Sequence, residues 1–212
     1  GITVITGEVG AGKTTLIRHL LRRVPHDELT VGLISNVHQS LGTLLQWVAI
    51  ALELHMDYTD MSNVQIFRRL QEYLIQEYAA GRRVVLIIDE AQNMDEGSLE
   101  ELRMLTNINA DKDQLLQIVL VGQPQLFKLL ADEDMAQVAQ RVTAEYHLES
   151  LDLNETQLYI RNRLNVAGAE GRNRFSMQAM AVIYYFSGGI PRLINTLCDH
   201  ALVLAYANDA EK

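Results

Sequence analysis

A glycine-rich segment near the start of the chain constrains the fold more than any other feature of the sequence. Residues 7–14 follow the pattern of glycine, four residues, then glycine, lysine and threonine. They lie between a short apolar, β-branched stretch at 2–6 and a helical pattern at 14–23. Glycines let such a loop wrap a phosphate with its N–H groups pointing inward, and the following helix adds its dipole. The segment therefore predicts a phosphate-binding strand–loop–helix unit; the alternative is a plain glycine turn.

Each part of this loop has an expected role. We expect Lys13 to reach the β- and γ-phosphates of a nucleotide, and the Thr14 hydroxyl to ligate Mg²⁺. The backbone of the whole loop is expected to hold the phosphates. The predicted nucleotide-binding residues are Gly7, Glu8, Val9, Gly10, Ala11, Gly12, Lys13, Thr14 and Thr15.

A second motif follows five apolar residues in succession, Val84–Ile88. Such a run is typical of a parallel strand that is covered on both faces. It delivers Asp89 and Glu90 to the carboxyl end of the strand, where ligands of such sheets bind. We expect Asp89 to hold Mg²⁺, and Glu90 to orient and deprotonate a water that attacks the γ-phosphate. The alternative is an acidic turn after a strand.

Strand patterns alternate with helical patterns through about residue 149, which predicts an α/β fold with a parallel sheet and helices on both faces. The predicted strands are Ile2–Thr6, Thr30–Ile34, Val84–Ile88, Leu115–Val121 and Thr143–Leu148. The predicted helices are Thr14–Arg23, Leu41–Leu54, one from a Ser62 cap to about Ala80 with Gly81 after it, Ser98–Ile108 and Gln125–Leu130.

After residue 150 the strand patterns stop, and 151–212 reads as a small all-helical domain. Asn154 and Gln157 have the spacing of a capping box for a first helix. Ser176 is expected to cap a second helix, and Pro191 to begin a third as its first helical residue. We therefore predict two domains, with a boundary at 150/151.

Composition limits the classes of partner. The net charge is −9, and residues 1–150 carry all of that excess, with 12 basic and 21 acidic residues. This charge argues against binding nucleic acid or an anionic membrane, because both need a basic surface. The longest apolar run is far shorter than a membrane span. The single cysteine, Cys198, excludes a disulfide framework, and the six histidines lack the helical spacing of a zinc site.

These motifs, taken together, resemble the AAA+ ATPases, in the branch associated with bacterial secretion: the A component of the general (type II) secretion pathway, its pilus-biogenesis relatives and the exosortase-associated ATPases. The resemblance covers nearly the whole chain, and two motifs are general to P-loop ATPases, at 7–15 and 85–92. Three later motifs point to the branch: residues 119–124, 140–142 and 187–192.

The resemblance implies further catalytic residues. Gln123 aligns with the polar sensor that contacts the γ-phosphate or the attacking water; a turn residue before Pro124 is the alternative. Arg141 stands where the family carries an arginine finger that acts on the neighbouring subunit's nucleotide, so the resemblance implies a homo-oligomer. Its alternative is a surface ion pair. Arg192 matches the second sensor, which reaches the phosphates from a helical lid, and its alternative is a plain helix-start arginine.

The expected function is a cytoplasmic, ATP- and Mg²⁺-dependent motor or switch that assists a secretion or surface-polymer export apparatus through a protein partner. We expect no membrane span in residues 1–212. A first rival is a DNA-related AAA+ ATPase, of the transposition target selector or helicase-loader type. A second is a scaffold that binds ATP without turnover. Family members have an upstream segment that helps enclose adenine, and many continue into a membrane span or a further domain, so base specificity is inferred from the resemblance alone.

Overall fold

In the computed structural model the chain forms two compact units. The first comprises Gly1–Gly7 and Lys13–His147, and the second comprises Glu8–Gly12 and Leu148–Lys212. Within them the structure describes residues 1–25, 27–35, 42–55, 61–110, 113–132, 135–169 and 174–208.

The first unit is built on a five-stranded sheet with the order β2-β3-β6-β1-β7. The strands are β1 Ile2–Gly7, β2 Leu29–Ile34, β3 Arg83–Ile88, β4 Asn109–Ala110, β5 Asp113–Gln114, β6 Leu116–Gly122 and β7 Val142–Leu148. β4 and β5 form a separate antiparallel hairpin. The pairs β1–β6, β2–β3 and β3–β6 are parallel. β7 runs in the same direction as β1, because Thr143 contacts the start of β1 and His147 contacts Thr6 near its end.

The helices are α1 Lys13–Leu21, α2 Leu44–Ala51, α3 Asn63–Ala79, α4 Glu96–Leu105, α5 Gln125–Leu130, α6 Ala136–Ala139, α7 Leu153–Val166, α8 Met177–Ser187 and α9 Pro191–Ala207, and a short 3-10 helix spans Ala91–Asn93. In the first unit they cover both faces of the sheet. Alternate strand residues such as Leu86 and Ile118 join a large core with α2, α3, α4 and α5. The intervening residues, such as Ile87 and Val121, pack against α1. The predicted fold class is confirmed.

Five of the seven strands correspond to predicted ones, with bounds that differ by no more than one residue at each end. The hairpin β4–β5, the helix α6 and the 3-10 helix were not predicted, since each is too short to show a period in the sequence. The helix predicted over Ser98–Ile108 lies two to three residues earlier, because Asp95 accepts a hydrogen bond from the Ser98 N–H and caps it. The helix predicted over Leu41–Leu54 is shorter, with a capping box of Thr43 and Gln46; Leu41 itself lies outside the described residues.

One predicted helix start is wrong. The capping box of α7 is formed by Asp152 and Glu155, not by Asn154 and Gln157. The Asp152 carboxylate accepts from the Glu155 N–H at 2.7 Å, and the Glu155 carboxylate accepts from the Asp152 N–H at 2.9 Å. Both pairs have the same spacing, so the sequence pattern cannot separate them; the extended backbone at Asp152 decides. The caps predicted at Ser62 and Ser176, and Pro191 as an initial helical residue, are confirmed.

The second unit is a three-helix arrangement in which α7, α8 and α9 pack around their own apolar core. That core contains Ile160, Phe175, Met180, Ile183 and Ile194. Gly189 has a φ of +75°, and a Cβ there would lie 1.9 Å from the Leu151 carbonyl oxygen, so only glycine fits between α8 and α9. In the part of the chain that the structure describes, no helix is both long and apolar enough to cross a bilayer.

Candidate functional site

The carboxyl edge of the sheet in the first unit collects most of the predicted site residues. The register pairs Thr6 of β1 with Gly122 of β6, and Ile88 of β3 with Leu120 of β6. Three neighbouring strands therefore end at nearly the same level. Their next residues are the phosphate loop after β1, Asp89 and Glu90 after β3, and Gln123 after β6.

The phosphate loop has the backbone that its glycines were expected to allow. Gly10 has a φ of +87° and Gly12 a φ of +107°, a region that other residues rarely adopt. Lys13 begins α1 and is 6% exposed. Its ammonium group donates to the Gly7 carbonyl oxygen at 2.8 Å, which folds the side chain back over the loop. A buried cation and the N-terminal N–H groups of a nine-residue helix thus lie at one place, an arrangement suited to a phosphate.

Two oxygen donors lie side by side next to this loop. The Thr14 hydroxyl donates to Asp89 Oδ2 at 3.0 Å, while Asp89 Oδ1 accepts from the Glu90 N–H at 2.9 Å. Asp89 is 5% exposed, and both of these donors are neutral. Among the described residues Asp89 forms no ion pair. A hydroxyl beside a buried carboxylate is a donor set that suits a hard divalent cation such as Mg²⁺.

Glu90 takes an unusual backbone conformation. Its φ of 54° and ψ of 36° lie in the left-handed region, one of two such non-glycine residues in the described chain. This conformation costs an ordinary residue about 1–2 kcal/mol. It turns the chain sharply at the end of β3 and leads into the 3-10 helix, where the Asn93 N–H donates to the Glu90 carbonyl oxygen at 3.0 Å. Such strain is typical of functional sites when the surroundings hold it in place.

The Glu90 side chain is held by Gln92. Gln92 Nε2 donates to Glu90 Oε2 at 2.6 Å, and Gln92 Oε1 accepts from the backbone N–H of Gln123 at 2.9 Å. The amide orientation follows from chemistry, since a carboxylate only accepts and a backbone N–H only donates. Gly122 makes room for this amide, because a Cβ there would lie 2.7 Å from Gln92 Oε1.

Arg192 and the loop residue Gly10 both belong to the second unit. The Arg192 N–H at the start of α9 donates to the Gly10 carbonyl oxygen at 3.3 Å. A Cβ on Gly10 would lie 2.6 Å from the Arg192 Cβ. Within the second unit the start of α9 therefore lies directly against Gly10, and this close approach requires glycine.

Arg141 lies at the other end of the sheet. It directly precedes β7, and its carbonyl oxygen accepts from the Ile2 N–H at the start of β1. Its guanidinium group donates to the Thr106 carbonyl oxygen and to the Asn107 side chain, just after α4. The six residues of β1, about 20 Å at 3.3 Å per residue, separate it from the phosphate loop. Arg141 therefore does not reach the loop of its own chain.

Thr6 and Cys198 are two further polar residues whose surroundings the structure defines. Thr6, fully buried one residue before the loop, shares a hydrogen bond of 2.9 Å with His147 Nδ1. Burial, with the neighbouring Asp199 carboxylate, raises the pKa of the Cys198 thiol to about 11, so this thiol is a poor nucleophile.

Gln92 is the site residue to which the sequence analysis gave no role. It lies in the same motif as Asp89 and Glu90, so its position was the available signal. Its bond to Gln123 joins residues 31 positions apart and depends on β3 and β6 being neighbours. Nothing in a local pattern indicates that pairing.

Comparison with known proteins places this geometry in a family. The family described as AAA domain matches residues 1–130. General secretion pathway protein A of Aeromonas hydrophila is 41% identical over 213 aligned residues, which cover 100% of this chain and 38% of that protein. The chain thus spans well under half the length of that relative.

Solved structures share the fold at low identity. Cdc6p from Pyrobaculum aerophilum superposes with a TM-score of 0.73 at 16% identity, covering 99% of this chain and 57% of that one. The ORC2 protein of Aeropyrum pernix, solved in ADPNP–ADP complexes, gives 0.70 at 18% identity and covers 100% of this chain and 58% of that one. These likenesses concern the fold.

Proposed function

Because the chain belongs to the AAA domain family, we propose that it binds ATP with Mg²⁺ and hydrolyses it to ADP and phosphate. The observation that carries the proposal is the 3.0 Å hydrogen bond from Thr14 to Asp89, beside the buried Lys13. It brings the start of α1, which directly follows the loop in sequence, into contact with the acidic motif after β3. These are the residues that a phosphate chain and its cation require.

The chain's own groups divide the binding as follows. The loop N–H groups and Lys13 hold the phosphates, with the Lys13 ammonium exchanging the Gly7 carbonyl for phosphate oxygens. Thr14 and Asp89 hold Mg²⁺, which neutralises charge on the phosphates when it is bound. Asp89 favours such a cation because its carboxylate is buried among neutral donors.

For the hydrolysis step, Glu90 is the proposed general base. Its carboxylate orients a water molecule and accepts the proton as that water attacks the γ-phosphorus. Gln123, at the end of β6 beside it, serves as the polar sensor of the γ-phosphate or the water. Preorganised groups of this kind act mainly by positioning and electrostatics in phosphoryl transfer.

The test is Glu90→Gln. We expect this variant to bind ATP with wild-type affinity and to lose at least 100-fold in phosphate release, because the amide cannot accept the proton. Glu96→Gln, an exposed acidic residue at the start of α4, is the matched control and should retain turnover. Unchanged turnover in Glu90→Gln would contradict the assignment of Glu90 as the base. If the wild type itself releases no phosphate, the rival hypothesis of a scaffold that binds ATP without turnover is favoured.

Arg141 is proposed to complete the site of a neighbouring subunit in a homo-oligomer. Its separation from the phosphate loop of its own chain, by about the 20 Å length of β1, supports action in trans. Turnover per subunit should then rise with protein concentration and stay flat for Arg141→Ala. A wild-type rate that is independent of concentration removes this proposal.

The second unit is proposed to act as the lid, with Arg192 as the second sensor. The support is the contact of Arg192 with Gly10 of the phosphate loop. Arg192→Ala should weaken ATP binding or turnover about 10-fold or more, whereas Arg163→Ala on α7 is the matched control. Equal behaviour of the two variants contradicts the sensor role.

The output of hydrolysis is proposed to serve the assembly or operation of a secretion or export apparatus, on the cytoplasmic side and through a protein partner. The support is the identity with general secretion pathway protein A. The net charge of −9 disfavours the DNA-related alternative. A submicromolar DNA affinity that falls steeply with salt would reverse this ranking.

A further inference from the structure

One polar side chain at the carboxyl edge has no part in the chemistry proposed so far, yet it makes two directional contacts. Gln92 lies in the 3-10 helix after β3, and its amide spans the gap between Glu90 and the N–H of Gln123. Both contacts have hydrogen-bond lengths, 2.6 and 2.9 Å. The side chain is half-buried, so water could replace these hydrogen bonds only in part if they were broken.

We propose that Gln92 is a positioning residue that fixes the Glu90 carboxylate and links it to the end of β6. The proposal rests on Glu90 being the general base. Gln92 Nε2 occupies one carboxylate oxygen, Oε2, which leaves Oε1 to receive the proton of the attacking water. A carboxylate fixed at one oxygen loses rotational freedom before the reaction begins, which is the purpose of such second contacts.

The other end of the amide supplies the link. Gln92 Oε1 accepts from the Gln123 backbone N–H, and β6 and β3 are neighbours in the sheet. A displacement of the Gln123 backbone, when its side chain contacts the γ-phosphate, would therefore alter the hydrogen bond to the side chain that holds Glu90. The base and the sensor are connected through one side chain, over 31 residues of sequence.

The backbone around Glu90 and Gly122 supports the two hydrogen bonds of Gln92. Glu90 adopts the left-handed region at a cost, and its N–H is held by Asp89 Oδ1 at 2.9 Å. Gly122 provides the space for the amide, since a Cβ would lie 2.7 Å from Gln92 Oε1 and 3.4 Å from the Gln92 nitrogen. We expect Gln92 to be displaced if Glu90 leaves the left-handed conformation or if Gly122 gains a side chain.

Two substitutions separate positioning from simple bracing. Gln92→Met keeps the length of the side chain and removes both hydrogen bonds. Gln92→Glu keeps an acceptor for the Gln123 N–H, but it loses the donor to Glu90 and adds a like charge beside it. If residue 92 only supported the Gln123 backbone, the Gln92→Glu variant would keep its activity. If residue 92 positions Glu90, the Gln92→Glu variant would lose activity.

We expect kcat for MgATP hydrolysis to fall about 10- to 100-fold in both variants, while KM and the ATP dissociation constant stay within about 3-fold. Gln125→Met, exposed at the start of α5, is the matched control and should behave as wild type. Wild-type kcat in Gln92→Glu, or a loss of ATP binding equal to the loss of kcat, overturns the proposal.

Gly122→Ala tests the same link from the other side. The atom nearest to the new Cβ is the end of a flexible side chain, so the fold should tolerate the change. We expect the displaced Gln92 amide to lower kcat with little change in ATP affinity. A wild-type kcat in this variant counts against the link.

Glu90→Gln is measured in parallel, so that the two proposals fail separately. If Glu90→Gln turns over as wild type, the base assignment itself is wrong. If Glu90→Gln is inactive while both Gln92 variants keep the wild-type kcat, only the positioning role of Gln92 is wrong.

Discussion

Two buried carboxylates lie near opposite ends of β3, and they differ in whether a cation of the chain is paired with them. Glu77, at the end of α3 beside the start of the strand, is 7% exposed and bonds to Arg82 at 2.8 and 2.6 Å and to the Thr30 hydroxyl at 2.6 Å. Asp89, just after the strand, is 5% exposed and bonds to the Thr14 hydroxyl and the Glu90 N–H. The first carboxylate is paired with a cation, whereas the two hydrogen bonds that the second accepts come from neutral groups.

This difference separates a structural group, Glu77, from Asp89, for which a functional role is proposed. Burial of a carboxylate that forms no ion pair costs free energy, which is consistent with a role for Asp89 outside folding. Glu77 closes the turn from α3 into β3, and its charge is satisfied within the chain. Asp89 favours a cation from solution, which agrees with the proposed Mg²⁺ site.

The largest expected effect is that of Asp89→Asn. Loss of the carboxylate proposed to bind Mg²⁺ should lower Mg²⁺-dependent turnover at least 100-fold. Without nucleotide and Mg²⁺, the melting temperature should stay close to that of the wild type, since Asp89 forms no ion pair among the described residues. Phosphate release and thermal melts measure the two effects. A variant that keeps turnover, or that melts well below the wild type, contradicts the contrast drawn between the two carboxylates.

Glu77→Gln should do the reverse. We expect it to lower the free energy of unfolding by about 1–2 kcal/mol, because charge-assisted hydrogen bonds to a half-exposed arginine are lost. ATP affinity and kcat should remain within about 2-fold of the wild type. Glu72→Gln on the same helix, whose ion pairs with Arg68 and Arg69 are exposed, is the control and should cost at most about 0.5 kcal/mol. Equal costs for the two variants would remove the structural role assigned to Glu77.

The smallest effect concerns pH. Hydrogen bonding from Arg82, opposed by desolvation and aided by Thr30, lowers the pKa of Glu77 below its ordinary value of 4.5. A lowered folded-state pKa means stability that is present above the unfolded pKa and lost as pH falls through the folded one. The stability difference between wild type and Glu77→Gln should therefore shrink as pH falls below about 4.5. Urea unfolding at a series of pH values measures it, and a constant difference would contradict the assignment.

Much of this architecture could be predicted from local patterns. The run Val84–Ile88 predicted a covered strand, and Ser62 and Ser176 predicted helix starts, because strand periodicity and capping are short-range effects. The start of α7 was missed because two capping pairs of equal spacing overlap, and the backbone at Asp152 decides between them. The hairpin β4–β5 has two residues in each strand, too few for any period.

The sequence by itself determined which residues are proposed for phosphate chemistry, because Lys13, Thr14, Asp89 and Glu90 lie in motifs whose spacing alone predicts that use. Only the tertiary structure decided how they are joined. The order of the strands places Gln123 beside Glu90, and this lets Gln92 span the two. The countercharge on Glu77, and its absence from Asp89 among the described residues, likewise depends on which side chains the fold brings within about 3 Å. Contacts between elements distant in sequence carry no local signal, and it is these contacts that distinguish Glu77 from the carboxylate proposed to bind Mg²⁺.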